Sequence, residues 1–288
     1  MKISVIVPFY NAKDTIQKCA EALLGQNYPD NDYEIIMVDN NSVDGSQDIV
    51  KMFPRIRLVY EMKQSPYAAR NRGLKFAKGS IIAFTDSDCI PFNDWLKTID
   101  IVISTFNIGI AIGSVATSTR SKILDMLMIY EMTKDKFVFN SHIKNLYYGH
   151  TNNMAIAKDV ITQIGPFQER TRGADSIFVN HAVDRFGCNL VRYCKEIRVK
   201  HLEFNSIKSY YLKMFIYGRS RELYKNESYI RQLTIKEKIQ IFKTVKRDQR
   251  YNFTESIYYL FILFIGLLFW NNGRLSSHLY KGSNQAGV

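Results

Sequence analysis

Residues 80–88 read Ser-Ile-Ile-Ala-Phe-Thr-Asp-Ser-Asp, an apolar run that ends in two carboxylates, Asp86 and Asp88. A short apolar run without proline is typical of a buried strand. Two carboxylates that reach one point repel each other unless a cation lies between them. Mg²⁺ and Mn²⁺ are typically held by one or two carboxylates together with substrate phosphates. A D-x-D pair is common by chance, so its meaning depends on the fold around it.

The same pattern of an apolar run followed by polar residues occurs three times upstream. We predict strands at 3–7, 34–38, 56–60 and 80–84, separated by helices at 13–25, 46–53 and 66–78. Ser46 is expected to cap its helix, Pro66 to lie in a first turn, and Gly25 and Gly79 to follow helix ends. This alternation predicts an α/β layered architecture around a mostly parallel, Rossmann-like sheet.

The second half of the chain is less regular. Its residue pattern predicts strands near 108–115, 153–157 and 190–200 and helices near 123–139 and 174–186. We expect these elements to complete the sheet. No G-x-G-x-x-G motif follows the first strand and no G-x-x-x-x-G-K-[ST] motif occurs, which argues against a dinucleotide enzyme and a P-loop NTPase.

Ligands of open parallel sheets bind beyond the carboxyl ends of the strands. The polar or aromatic residues Tyr10 and Asn11 follow the first predicted strand, Asp39 follows the second, and Asp86 and Asp88 follow the fourth. We therefore expect these side chains to meet at one edge of the sheet, where a divalent cation and a diphosphate could bind together.

Four segments in this order resemble family 2 glycosyltransferases of the GT-A fold. They are Val-Ile-Val-Pro-Phe-Tyr-Asn-Ala at 5–12, Ile-Met-Val-Asp-Asn-Asn-Ser-Val-Asp-Gly-Ser at 36–46, Ala-Arg-Asn-Arg-Gly at 69–73 and Phe-Thr-Asp-Ser-Asp at 84–88. The resemblance covers roughly residues 1–220. It implies an inverting transferase of the hexosyltransferase type (EC 2.4) that takes a sugar from a nucleotide-sugar donor.

The resemblance also implies roles for individual residues. Pro8, Tyr10 and Asp39 would line the pocket of the nucleobase, Arg70 and Asn71 would lie near the nucleotide, and Asp86 would face the ribose. Asp88 would bind the divalent cation, Mn²⁺ or Mg²⁺. His201 matches a position where relatives place a histidine near the metal or the diphosphate; a surface histidine is the alternative.

Three downstream segments extend the resemblance. Residues 149–156 resemble the floor of the active site, and 165–169 resemble the turn before the catalytic base. The base would be Asp175, although Ala174 stands where many relatives have a glutamate. A carboxylate there could take the proton of the acceptor hydroxyl as it attacks the anomeric carbon. Arg219 and Arg221 could clamp the diphosphate, with a solvated helix face or lipid headgroup contact as the alternatives.

The formal net charge of +12 is concentrated in residues 206–250, which contain twelve Lys or Arg and four Asp or Glu. An uncharged segment, 257–270, follows. It is shorter than the roughly 20 residues of a spanning helix, so a short tilted span, an interfacial or re-entrant segment and a buried core helix are all possible. The basic residues before it, and a start that leads from Met1 straight into a strand, predict the cytoplasmic face of the cell membrane.

We predict four segments: a nucleotide-sugar-binding half (1–115), an acceptor-binding half (116–205), a basic helical extension (206–250) and a membrane-associated segment with a tail (251–288). The acceptor is expected to be a glycan or a lipid-linked glycan. The alternatives are a sugar-phosphate nucleotidyltransferase and a non-catalytic membrane-bound scaffold. No nucleic-acid partner is expected, because no known binding module is present. The four cysteines show no metal-binding spacing and are expected to be free thiols.

Overall fold

The computed structural model describes residues 1–117, 121–202, 205–224 and 230–283. The strands in these residues are β1 (Ile3–Phe9), β2 (Tyr33–Asp39), β3 (Ile56–Tyr60), β4 (Ile81–Thr85), β5 (Cys89–Pro91), β6 (Ile110–Thr117), β7 (Asn153–Ala157) and β8 (Val191–His201). The helices are α1 (Ile16–Leu24), α2 (Ser46–Lys51), α3 (Pro66–Leu74), α4 (Trp95–Asp100), α5 (Lys122–Phe139), α6 (Lys158–Ile164), α7 (Ala174–Phe186), α8 (Ile207–Tyr224), α9 (Ile235–Asp248) and α10 (Phe253–Ser283). The end of the predicted tail, 284–288, lies outside the described residues.

The strands form one mixed sheet in the order β3-β2-β1-β4-β7-β6-β8-β5. The first four strands are parallel, with Phe9 of β1 beside Asp39 of β2 and Ile6 beside Phe84 of β4. β7 then runs antiparallel to both β4 and β6, and β5 runs antiparallel to β8. The predicted α/β sheet with flanking helices is confirmed, and its parallel part is confined to the first half of the chain.

The elements of the first half follow the sequence pattern closely. All residues of β1 and β4 are buried, as expected for central strands that are covered on both faces. Pro66 is the first residue of α3, where Ser65 accepts hydrogen bonds from two backbone N–H groups. α1 and α3 are shorter than predicted, and β5, α4 and α6 were not predicted.

Two of the predicted helix-end roles are wrong. Gly45, at φ +87°, is the N-cap of α2. Ser46 is instead buried inside the first turn, where its hydroxyl accepts from the Ala12 N–H at 2.8 Å and donates to Asp44. Gly79 lies beyond the end of α3 and packs on β1, where a Cβ would lie 2.6 Å from the backbone nitrogen of Ser4.

The chain divides into two compact units. The first comprises Met1–Ala116 and His142–Leu202 and contains the sheet; the second comprises Thr117–Ser141 and Glu203–Val288 and contains α5, α8, α9 and α10.

In the first unit, the buried side chain of Asn153 forms hydrogen bonds with several elements. It accepts from the indole N–H of Trp95 at 2.8 Å and donates to the carbonyls of Ser114 and Ile197.

Within the described ranges, one helix is long and apolar enough to cross a membrane. It is the part of α10 at Phe253–Ser277, which has 25 residues. In the apolar 18-residue stretch of this helix, 17% of the residues are buried inside the protein. The apolar segment predicted at 257–270 is therefore part of a longer helix. Length and composition alone are weak evidence for membrane contact, because core helices of soluble proteins also pass this test.

Candidate active site

The loops after β1 and β2 are joined by hydrogen bonds between their backbones and short polar side chains. The Asn11 N–H donates to Ser42 Oγ at 3.0 Å, and the Val43 N–H donates to Asn11 Oδ1 at 2.9 Å. Asn11 and Asn41 have φ values of +48° and +70°, a region that asparagine tolerates better than most residues. Both loops are thereby fixed at the carboxyl edge of the parallel strands.

Asp39 is the last residue of β2 and is 2% exposed. Its Oδ1 accepts from the Ser42 N–H at 3.0 Å, which orients the carboxylate within the loop. Pro8 is buried in β1 beside Val38, and Tyr10 follows β1 with half of its surface exposed. The three residues predicted for the base pocket therefore lie at the end of two adjacent strands.

Asp86 follows β4 and forms an ion pair with Arg70 of α3, with 2.5 Å between Arg70 Nη2 and Asp86 Oδ1. The Arg70 side chain is 5% exposed, whereas that of Asp86 is 32% exposed. The guanidinium also lies over the ring of Tyr67, 5.1 Å from its centroid. Arg70 Nε is buried and has no hydrogen-bond partner in the described part of the chain.

Asp88 meets His201 because β5 and β8 pair. The register of this pair sets Cys89 opposite His201, and the Leu202 N–H donates to the Asp88 carbonyl at 2.8 Å. As a result, His201 Nδ1 lies 3.4 Å from Asp88 Oδ2. His201 is almost fully buried, which excludes the surface alternative, while the Asp88 side chain is 26% exposed.

The donor atoms of Asp88, Cys89 and His201 lie within 4.8 Å of one another. Burial, reinforced by the carboxylates of Asp86 and Asp88, raises the pKa of the Cys89 thiol well above its ordinary value. The same causes raise the pKa of Cys19, whose thiol faces the Asp86 carbonyl. The Asp88 carboxylate and the His201 imidazole offer one oxygen and one nitrogen ligand to a divalent cation.

Asp175 is the second residue of α7. Its Oδ2 accepts from the Thr151 N–H at 3.2 Å and its Oδ1 from the Ser176 N–H at 2.8 Å. Thr151 belongs to the predicted floor segment, which runs into β7 beside β4; there Thr85 Oγ1 donates to the Asn152 carbonyl at 2.9 Å. The floor segment therefore connects the loop after β4 with the start of α7.

Tyr67 joins Asp175 to the Arg70–Asp86 pair, and the sequence analysis missed it. Burial raises the pKa of Tyr67 well above its ordinary value, and the negative charge of the nearby Asp175 carboxylate raises it further. The phenol and the guanidinium of Arg70 share one side of α3 because the two residues are three positions apart. That spacing was the available signal.

The side-chain amide of Asn71 forms hydrogen bonds with the loop before α7. It donates to the Phe167 carbonyl at 2.7 Å and accepts from the Phe167 N–H at 3.0 Å. Ser65 donates to the Arg170 carbonyl, and Lys63 pairs with Glu169. Asn71 thus positions this loop, and its predicted contact with the nucleotide stays a prediction.

Arg219 and Arg221 belong to α8 in the second unit. The Arg221 guanidinium donates to the Ile230 carbonyl in that unit. Their assignment to the diphosphate also stays a prediction.

Comparison with known proteins agrees with this geometry. Residues 4–165, more than half of the chain, match the model of glycosyl transferase family 2. The chain is 32% identical over 193 residues to glycosyltransferase AglE of Haloferax volcanii, covering 63% of this chain and 61% of AglE. It is 43% identical over 94 residues to a poly(ribitol-phosphate) beta-glucosyltransferase of Bacillus spizizenii, covering 31% of this chain and 15% of that relative.

Solved structures share the fold at low identity. A mannosyltransferase from Pyrobaculum calidifontis in complex with GDP-Man and Mn²⁺ has a TM-score of 0.60 at 17% identity, covering 100% of this chain and 81% of that one. S. aureus TarS 1-349 in complex with UDP-GlcNAc has a TM-score of 0.55 at 17% identity, covering 98% of this chain and 92% of that one.

The mixed sheet, with carboxylates gathered at the carboxyl edge of its parallel strands, defines a GT-A fold. The chain belongs to glycosyl transferase family 2, a family of transferase enzymes.

Proposed function

We propose that the chain transfers a sugar from a nucleotide-sugar, with UDP-sugars as the first choice, to a glycan or lipid-linked acceptor, with inversion at the anomeric carbon. One observation carries the proposal. The β5–β8 pairing sets His201 within 3.4 Å of Asp88, two residues from the ion pair of Asp86 with Arg70. This arrangement sets the partly exposed Asp88, the buried His201 and the buried guanidinium of Arg70 at the sheet edge where ligands bind in α/β folds.

Asp88 and His201 are the residues that would hold Mn²⁺ or Mg²⁺. The cation, when bound, supplies positive charge to the diphosphate as it departs. Arg70 holds the Asp86 carboxylate in place toward the ribose by an ion pair, and Asp39 is oriented by Ser42 for a nucleobase N–H.

Asp175 is the general base of the proposed reaction. The acceptor oxygen forms its bond to the anomeric carbon and gives its proton to Asp175. The bond from that carbon to the diphosphate oxygen breaks, and its electron pair leaves with the nucleoside diphosphate. Two backbone N–H groups orient the carboxylate for this transfer, and the phenol of Tyr67 lies near it.

The names of several relatives support a surface glycan as the acceptor. One is a poly(ribitol-phosphate) beta-glucosyltransferase, and another, TuaG of Bacillus subtilis, is described as a putative teichuronic acid biosynthesis glycosyltransferase. We place the reaction at the cytoplasmic face of the cell membrane. The exposed apolar residues of α10 and the basic residues of α9 support that location.

The proposal is tested by incubating the full chain with UDP-, GDP- and dTDP-sugars, with and without Mn²⁺, and measuring release of the nucleoside diphosphate. We expect release from one donor class, dependent on Mn²⁺. Asp175→Asn should lower this release about 100-fold or more, the contribution typical of a general base.

Asp159→Asn is the matched control for that variant. Asp159 is the second residue of α6, and its carboxylate accepts from the next N–H at 2.8 Å, as that of Asp175 does in α7. No Mn²⁺-dependent release from any donor would favour the scaffold alternative. Release of pyrophosphate from a nucleoside triphosphate and a sugar phosphate would favour the nucleotidyltransferase.

A further inference from the structure

α10 has two faces of opposite size and polarity. Its buried face is made largely of small or polar residues, and its exposed face is made of large apolar ones. The buried residues are Ser256, Tyr259, Ile262, Gly266, Gly273 and Ser277. The exposed face presents Phe253, Ile257, Leu260, Phe261, Phe264, Leu267, Leu268 and Leu275. A helix at a water-exposed surface carries the reverse distribution.

The buried face of α10 packs on α8 within the second unit. Tyr211 donates a hydrogen bond to the Ile262 carbonyl at 3.0 Å and stacks on Phe269. Farther along both helices, a Cβ on Gly218 would overlap the backbone of Trp270. Arg274 then pairs with the buried Glu222 at 3.5 Å. The contacts run in the same order along both helices, so α8 accompanies α10 over most of the apolar segment.

The packing of α8 against α10 limits how α10 can bind a membrane. α8 carries five charged residues, Lys208, Lys213, Arg219, Arg221 and Glu222, within its 18 residues. If α10 crossed a bilayer, α8 would carry these charges into the hydrocarbon with it, where each charge near the centre is unfavourable. If α10 lies flat, only its exposed face meets the lipid and α8 stays on the aqueous side.

The charge of α9 suits an anionic lipid surface. Its outer side exposes Lys236, Lys243, Lys246 and Arg247, and Arg250 follows in the turn to α10. Phe242 of α9 and Tyr251 of the turn both pack on Tyr259, which holds the end of α9 against the start of α10. Basic residues near an anionic membrane strengthen binding to it.

We propose that α10 lies in the plane of an anionic bilayer as an interfacial helix, with its exposed apolar face at the acyl boundary and the basic residues of α9 against the lipid phosphates. The inference rests on the membrane location in the proposed function, and it concerns the binding mode alone.

A labelling experiment separates a flat helix from a spanning one. Thr254 and Asn272 are exposed and lie about 27 Å apart along α10, close to the thickness of a bilayer core. Thr254→Cys and Asn272→Cys are made separately in a Cys188→Ser background, because the other three cysteines are buried. With the full chain bound to vesicles, a membrane-impermeant maleimide should label both positions to the same extent. Protection of either position until detergent is added would overturn the proposal.

Vesicle flotation identifies the occupant of the exposed face. The full chain should float with vesicles that contain phosphatidylglycerol and much less with phosphatidylcholine alone. The double variant Phe264→Ser, Leu268→Ser should partition into these vesicles about tenfold less or weaker still, because each substitution removes apolar area that would contact the lipid. Thr254→Ala, Asn272→Ala is the control with equal exposure and should bind as the parent does.

The competing occupant is a second copy of the chain. A parent protein that fails to float and sediments as a dimer, with Phe264→Ser, Leu268→Ser monomeric, would overturn the proposal. Neither experiment measures turnover, so a failure of the proposed sugar transfer and a failure of this binding mode are distinguishable.

Discussion

Tyr67 connects the two parts of the candidate site through one side chain. Its phenol lies near the carboxylate of Asp175, the proposed base, and its ring lies under Arg70, which pairs with Asp86. A shift of Tyr67 would therefore change the position of the base and of the donor-side carboxylate together.

Tyr67→Phe should keep the ring packing and remove the hydroxyl group near the Asp175 carboxylate. We expect kcat to fall about tenfold, a part of the contribution of a general base, with the KM for the donor little changed. Steady-state kinetics with the donor identified above measures both constants.

Tyr28→Phe is the control for that change. It also removes a tyrosine hydroxyl near an aspartate: Tyr28 donates to Asp100 at 2.9 Å, far from the proposed base in the sequence. Equal losses of kcat in the two variants would contradict a positioning role for Tyr67.

Periodicity predicted the elements on which the carboxylates lie: Asp39 and Asp86 stand at strand ends and Asp175 in the first turn of a predicted helix. The roles of these residues were expected from the resemblance to a family and stay predictions. Tyr67 was not found, because Asp175, which the fold brings near it, lies more than a hundred positions away. The hydrogen bonds of the Asn71 amide to Phe167 were also missed, because these two residues are 96 positions apart.

At the scale of elements, Asn153 holds the antiparallel part of the sheet to α4. Asn153→Ala would leave the Trp95 N–H and the carbonyls of Ser114 and Ile197 without their partner in a buried region. We expect the free energy of unfolding to fall by about 3 kcal/mol, as is typical when buried polar groups lose their bonds.

Urea denaturation of Asn153→Ala and of the exposed control Asn93→Ala measures this effect. The control should change stability by less than about 0.5 kcal/mol. A loss of similar size in both variants would show that the network around Asn153 adds nothing specific.

The same substitution at two glycines of α10 should change the free energy of unfolding in opposite directions. A Cβ on Gly273 would overlap the Phe215 carbonyl of α8, whereas a Cβ on Gly266 would lie 3.7 Å from the ring of Tyr211. Gly273→Ala should cost about 2 kcal/mol, because the two helices must separate. Gly266→Ala should stabilise by up to about 1 kcal/mol, since alanine favours the helix.

Chemical denaturation of the two variants, followed by circular dichroism in one buffer, gives the comparison. Stabilisation by both substitutions would mean that α8 and α10 do not pack as closely as described.

At the scale of the whole molecule, the parallel half of the sheet could be predicted and the antiparallel half only in part. Strand–helix alternation is regular up to β4, and each element is long enough to show its period. β5 has three residues and ends in Pro91, so it carries no periodic signal. Yet its pairing with β8 sets His201 beside Asp88; that contact was anticipated only from a resemblance.

The apolar segment near the C-terminus illustrates the same limit. Its sequence predicted a short membrane-associated stretch of 14 residues, and α10 extends over 31. The sequence did not show that α8 packs on one face of this helix, because the residue pattern of a single helix does not identify the helix it contacts.

The central claim is that Asp88 holds a divalent cation beside a nucleoside diphosphate. The direct measurement is the melting temperature of the full chain with UDP or GDP, with and without Mn²⁺, for the parent, Asp88→Asn and the exposed control Asp48→Asn. A nucleotide at about 100 times its Kd should stabilise the fold by about 2.7 kcal/mol, or several degrees. We predict a Mn²⁺-dependent rise in the parent and in Asp48→Asn that is lost in Asp88→Asn; an equal rise in all three proteins would contradict the account.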